Sequence, residues 1–125
     1  MRRYPHGMPT MEDRTDLLER ARRCHADGRF VAAADLLLEA FRESPGDHRI
    51  ARELGKVLRS VGDLDGSVGY LKRAWHCEPA DPITVAELVL ALHDLGRADD
   101  AVKVMLASLD AGLEESGFAL ALVKS

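Results

Sequence analysis

The chain has only two cysteines among its 125 residues, Cys24 and Cys77. Two isolated thiols form neither a metal-binding pair nor a disulfide framework. They read as small, partly buried hydrophobes in a reduced, cytoplasmic protein. No apolar run approaches the roughly 20 residues that cross a bilayer, so no membrane span is expected. The opening segment, MRRYPHGMPTMEDR, has a basic pair with no apolar stretch behind it, so a secretory signal is not expected. Excess positive charge is missing too. Seventeen Lys and Arg face 21 Asp and Glu for a net charge of −4, and a general nucleic-acid binder needs a basic footprint.

Catalytic signatures are equally scarce. There is no Gly-rich phosphate loop and no Cys-x-x-Cys, and the His-x-x-Arg and His-Asp fragments have no geometric partner. His25, His48, His76 and His93 are scattered along the chain. Cys24-His25 and His76-Cys77 are neighbours in sequence, and helix neighbours point about 100° apart, so neither pair converges on one ion. The expectation is a protein that is not an enzyme, with no metal and no cofactor.

What the sequence does contain is a period. Gly28, Gly62 and Gly96 lie 34 residues apart, as do Pro45 and Pro79. Ala33, Ser67 and Ala101 keep the same interval, and so do Ala40, Ala74 and Ser108. A fixed period of this length marks a solenoid of stacked units whose core is a shared spine.

Taken in order, residues 1–13 read as a flexible N-terminal tail, with Met8 and Met11 as alternative starts. Asp13 to Asp16 supply helix-start chemistry. Leu17, Leu18, Ala21 and Cys24 follow at helical spacing, and Gly28 ends the helix as a left-handed C-cap. A second helix over 31–43 ends at Ser44-Pro45-Gly46. The hairpin repeats with helices over 48–61 and 65–77, then again from Pro82 to Gly96 and from Asp99 or Asp100 to Ala111. A first-turn proline such as Pro82 is tolerated in a helix. Residues 116–125 read as one more short helix, either a cap or the start of a truncated unit. Gly66 and Gly69 inside a helix cost about 1 kcal/mol each against Ala. Close helix approach is the expected compensation, with a mobile hairpin as the alternative. Phe30, Phe41, Tyr70 and Trp75 are assigned to packing.

A 34-residue helix–turn–helix with this punctuation resembles the tetratricopeptide repeat. Over repeats at 14–47, 48–81 and 82–115, the small residue of the first helix is Ala21, Gly55 and then Val89. The small residues of the second helix are Ala33, Ser67, Ala101 and Ala40, Ala74, Ser108, and the closing residue is Pro45, Pro79 and then Leu113. Small residues let the paired helices cross closely. Val89 implies a splayed third hairpin. Arg20, standing where the other repeats have Leu54 and Leu88, suits a terminal unit. Leu113 lets the last helix pack more continuously. The resemblance implies an all-α fold, a right-handed superhelix of three repeats plus a C-terminal capping helix.

The candidate site lies on the first helix of the middle repeat. Arg49, Arg52, Lys56 and Arg59 fall within an arc of about 80° at 3.6 residues per turn. Ile50, Leu54, Val57, Leu58 and Val61 fall on the other side. Like charges at these spacings repel, so the stripe is either a ligand surface or a solvated face. In the family the first helices line a concave groove. The resemblance therefore places these four cations in that groove with Arg22, and Ile83, Ala86, Leu90 and His93 at its apolar end. The implied partner is a protein or peptide segment, acidic with apolar anchors. Covering of the apolar end by the last helix, or pairing of two copies, is the alternative. Some family members clamp the C-terminal carboxylate of chaperones, but Leu18 and Glu53 stand where that clamp needs polar or basic donors. The function expected is a non-catalytic, cytoplasmic scaffold or adaptor. A secretion-type chaperone, a fragment of a larger enzyme and a self-assembling structural protein are the alternatives, the last drawing on the acidic edge of Asp110, Glu114 and Glu115.

Overall fold

The structure is a computed structural model and describes residues 11–124. Among the described residues there are seven helices and no strand. They are α1 (Met11–Ala26), α2 (Phe30–Glu43), α3 (His48–Ser60), α4 (Leu64–Cys77), α5 (Pro82–Asp94), α6 (Ala98–Asp110) and α7 (Glu115–Lys124). Consecutive helices pack as three pairs, α1 with α2, α3 with α4 and α5 with α6. The pairs stack through α2 on α3 and α4 on α5. The molecule is an all-α helical-repeat solenoid.

Glycine sets the turns within each pair. Gly28, Gly62 and Gly96 adopt φ of +78°, +88° and +77°, a conformation that costs glycine nothing and a side chain 1–2 kcal/mol. After each, a backbone N–H reaches back five residues, as from Asp63 to the Leu58 carbonyl at 2.9 Å. This satisfies carbonyls left open at the helix end. The turns between pairs start the next helix with aspartate. Asp47 and Asp81 accept from the backbone N–H of Arg49 and Ile83, and Asp63 caps α4 in the same way. The helix-start chemistry read at 13–16 falls inside α1, which already includes Met11. Residues 1–10 of the expected tail lie outside the described residues.

The spine has two clusters. Leu18, Ala21, Ala33, Leu37, Ala40, Ile50, Leu54 and Val57 fill one. Val68, Leu71, Val85, Leu88, Leu92, Val104 and Leu113 fill much of the other. Phe30, Phe41 and Tyr70 pack on the first and Trp75 on the second. Trp75 Nε1 donates to Ser108 Oγ at 2.9 Å, so the polar atom of the indole is satisfied. Arg20 is exposed whereas Leu54 and Leu88 are buried, as suits the end of a stack.

At Gly55 α3 and α4 approach closely. A Cβ there would sit 2.5 Å from Leu71 Cγ and 3.2 Å from the Ser67 carbonyl oxygen, and Ser67 Oγ donates to the Gly55 carbonyl at 2.7 Å. Accordingly α3 and α4 are the most tightly packed pair, while α5 and α6, with Val89 in the corresponding place, are looser. Gly66 and Gly69 do not serve close helix approach. Nothing lies within 4 Å of a Cβ at Gly69, and the nearest atoms to a Cβ at Gly66 are those of the Asp63 cap carboxylate. The expected consequence is that Gly69→Ala raises stability by about 0.5–1 kcal/mol, the helix-propensity difference. A shift of the denaturation midpoint to lower denaturant would overturn that.

The last turn departs from the other two between pairs. Gly112 has φ +104°, and the Leu113 N–H bonds the Ser108 carbonyl at 2.9 Å. That is the geometry used within a pair, where Pro45 and Pro79 would have prescribed the turn between pairs. The chain therefore folds back, Leu113 is buried in the spine, and α7 packs chiefly on α5. Phe118 reaches the second cluster, and Gly117 lies against Pro82.

Candidate functional site

The first helices of the three pairs, with α7, share one face. Between them lies a cleft of about 400 Å³ lined by His25 of α1, Lys56, Arg59 and Ser60 of α3, Ile83 and Glu87 of α5, and Ala121 and Lys124 of α7. His25 Nε2 and Ser60 Oγ are 2.8 Å apart across the α1–α3 boundary. Burial, then the charge of Lys56, holds the His25 imidazole below its usual value, with Glu53 and Glu87 opposing.

The α3 cations reach this face, but none stands without a carboxylate. Arg49 pairs with the Asp47 cap at 3.1 Å, which raises the guanidinium pKa. Arg52 reaches Asp81 of the next turn at 2.9 Å and Glu53 at 3.6 Å. Lys56 is 3.8 Å from Glu53. Arg59 pairs with Glu87 at 3.5 Å and Asp94 at 3.2 Å, both on α5. Arg22 is 3.5 Å from Glu19 and 3.8 Å from Glu53. Glu53 and Glu87 are each only 5 % exposed. The stripe is thus half of an ionic ladder tying α1 to α3 and α3 to α5. The like-charge repulsion expected along α3 is offset by carboxylates set among the cations and across the stack.

At the other end of the site, Ile83 is 42 % exposed and borders the cleft. Ala86 is 0 % exposed and has no surface for a partner, which corrects its place among the groove residues. Its position along the first helix is that of Leu18 and Arg52, inside the stack rather than on it. Leu90 is half-buried and His93 exposed. Neither lines the cleft. Reading α3 alone missed Glu87, Asp81 and Asp94, which come from the next pair. It also missed the contribution of α7. A signal was present for the glutamates, since Glu19, Glu53 and Glu87 recur at the 34-residue interval.

No group of three or more His, Cys, Asp or Glu among the described residues is arranged to hold a metal ion. No helix among them is long and apolar enough to cross a membrane.

The sequence matches no protein-family model and no curated protein. Solved structures do match. The tetratricopeptide domain of Sgt2 from Aspergillus fumigatus aligns with TM-score 0.73 at 17 % identity, covering 98 % of this chain and 82 % of that one. The type III secretion translocator chaperone SycD of Yersinia enterocolitica aligns with TM-score 0.77 at 13 % identity, covering 90 % and 84 %. A CopN–Scc3 complex aligns with TM-score 0.78 at 12 % identity, covering 90 % and 66 %. MamA aligns with TM-score 0.71 at 21 % identity, covering 78 % and 57 %. In five MamA structures that match, this chain spans from 54 % to 72 % of the other's length. With the 34-residue period, the three stacked helix pairs and the small residues at their crossings, these likenesses give the chain the fold of the tetratricopeptide repeat.

Proposed function

We propose that this protein is a non-catalytic interaction scaffold that holds a segment of a partner protein in the cleft between α3, α5 and α7. The observation that carries this reading is the cleft itself. It is walled by four helices from successive layers of the stack, and it combines an exposed apolar side chain, Ile83, with Lys56 and Lys124. Such a surface suits an extended or helical segment with an apolar anchor and flanking acidic residues. Because the α3 cations are already paired, the apolar anchor supplies most of the affinity and the charges set orientation and rate. The two free cysteines suit a reducing, cytoplasmic setting.

The test is affinity capture from a native lysate with three baits. Wild type is compared with Ile83→Asp, which leaves the ionic ladder intact and adds an acid to the first turn of α5, where the helix dipole favours it. Val31→Asp, on the exposed outer side of α2, is the control. A partner kept by wild type and Val31→Asp and reduced about tenfold or more by Ile83→Asp supports the cleft. Equal retention by all three baits rejects it.

A second reading is favoured by the likeness to SycD, whose description is that of a translocator chaperone for secretion. This chain would then hold a segment of a secreted protein before its export. The two readings part on whether the captured partner folds by itself or depends on this protein for solubility.

A further inference from the structure

α6 carries an apolar stripe that its own fold leaves uncovered. Val102, Leu106 and Leu109 are 48, 58 and 41 % exposed, and Met105 is half-buried beside them. At 100° per residue these four fall within an arc of about 100°. The buried residues of α6, Ala101, Val104 and Ser108, lie on an adjoining face whose centre is about 120° away.

The period identifies this stripe. One period earlier its positions are Val68, Leu71, Lys72 and Trp75, and two periods earlier they are Ala34, Leu37, Leu38 and Phe41. All four of the earlier set pack in the first cluster. Val68, Leu71 and Trp75 pack in the second. In those pairs the second helix bears the first helix of the next pair. The α6 stripe is the same stacking face, left open because the Gly112 turn sends α7 back onto α5.

The opposite end of the solenoid does not match it. Where α1 side chains are described, the exposed ones are Thr15, Asp16, Glu19, Arg20, Arg22, Arg23 and Ala26, mostly charged, so head-to-tail stacking would bury charge against the apolar stripe. Self-pairing of the stripe is complementary. Lys103 and Asp110 lie seven residues apart on one flank. In an antiparallel pair of α6 helices around a twofold axis near Leu106, each Lys103 meets the Asp110 of the other copy. Val102 then faces Leu109.

We infer that α6 is a homodimer interface, two copies joining their open stacking faces as an antiparallel helix pair. The interface is isologous, as twofold symmetry requires. One helix face is small beside the roughly 800 Å² per partner of a standard interface, so the association is weak and depends on concentration.

The test is sedimentation of the full chain from micromolar to near-millimolar concentration, with helicity checked by circular dichroism. Wild type is expected to move from the 13.7 kDa monomer toward twice that mass. Leu106→Glu, exposed and helix-compatible, is expected to stay monomeric with unchanged helicity. Lys103→Glu and Asp110→Lys are each expected to weaken the dimer several-fold, and the double variant to restore it. A wild type that remains monomeric throughout overturns the inference. So does a dimer that survives Leu106→Glu, which would locate the contact elsewhere, or a double exchange that fails to rescue. None of these outcomes bears on the cleft, whose Ile83→Asp variant keeps α6 intact.

Discussion

Leu71→Ala is expected to lower the unfolding free energy by about 3–4 kcal/mol, the range for a fully buried leucine whose cavity cannot collapse. Leu71 is 0 % exposed and sits on the bare backbone of Gly55 where α3 and α4 cross. The reverse change at the same contact is Gly55→Ala. It gains about 1 kcal/mol of helix propensity and loses about 2–3 kcal/mol by overpacking. The added Cβ meets Leu71 Cγ at 2.5 Å, Cδ2 at 2.8 Å and the Ser67 carbonyl oxygen at 3.2 Å. Leu71 is itself fully buried in the second cluster, and the carbonyl is held by the backbone. The net expectation is a loss of about 1–2 kcal/mol. Removing Leu71 Cγ and Cδ2 removes the first two conflicts. In the Leu71→Ala background, Gly55→Ala is then expected to be neutral or to stabilise by up to about 1 kcal/mol. Urea denaturation of the four proteins gives the coupling. Additivity within about 0.5 kcal/mol would mean that the crossing is not set by this contact.

Gly55 also shows what was legible in the sequence. Its role follows from two facts visible there, a period that puts small residues at the crossings and a pair of helices that have to meet. The turn glycines were legible for a similar reason, because φ near +80° is cheap only for that residue. Gly66 and Gly69 carry the same letter without the same constraint. One sits beside its own helix cap and the other faces open space. A glycine inside a helix says nothing by itself about which neighbour it meets. The last turn was half legible. The loss of proline at Leu113 was visible, but the return of α7 onto α5 depends on Gly112 repeating the intra-pair geometry.

The site was the least legible part. A cationic stripe on one helix looks unpaired when only that helix is considered. Its partners Asp81 and Asp94 stand 29 and 35 residues from the arginines they bind, so they meet only when the pairs stack. Glu53 is different. It lies one residue from Arg52 and three from Lys56, and the helical i,i+3 relation alone identifies it as a counter-charge. Ala86 was misplaced because the position it shares with Leu18 and Arg52 points into the stack, and the polarity of Arg52 disguised that. Arg52 keeps its stem inside while its guanidinium reaches Asp81.

Glu53→Gln is the variant that decides what the ladder is for. The side chain of Glu53 is only 6 % exposed and has Arg22, Arg52 and Lys56 within 3.6–3.8 Å. The amide keeps the shape and removes the charge, leaving three cations crowded around a neutral group. Breaking a fully buried pair in this way costs about 3–5 kcal/mol. Arg22 and Lys56 are 44 and 30 % exposed and regain solvation, so the expected loss is about 2–3 kcal/mol. Arg49→Gln removes a cation of the same stripe whose partner is its own helix cap, and it is expected to cost less than about 1 kcal/mol. Glu53→Lys sets a fourth cation among three and is expected not to fold at neutral pH. Simultaneous charge reversal of Arg49, Arg52, Lys56 and Arg59 would cut the ties from α3 to α5 at Asp81, Glu87 and Asp94, so loss of a partner in that variant would report unfolding. If thermal melts place Glu53→Gln within about 0.5 kcal/mol of wild type, the ladder carries little stability. Its cations are then available to an acidic ligand after all, and the single-site reversals Lys56→Glu and Arg59→Glu become the informative tests of binding.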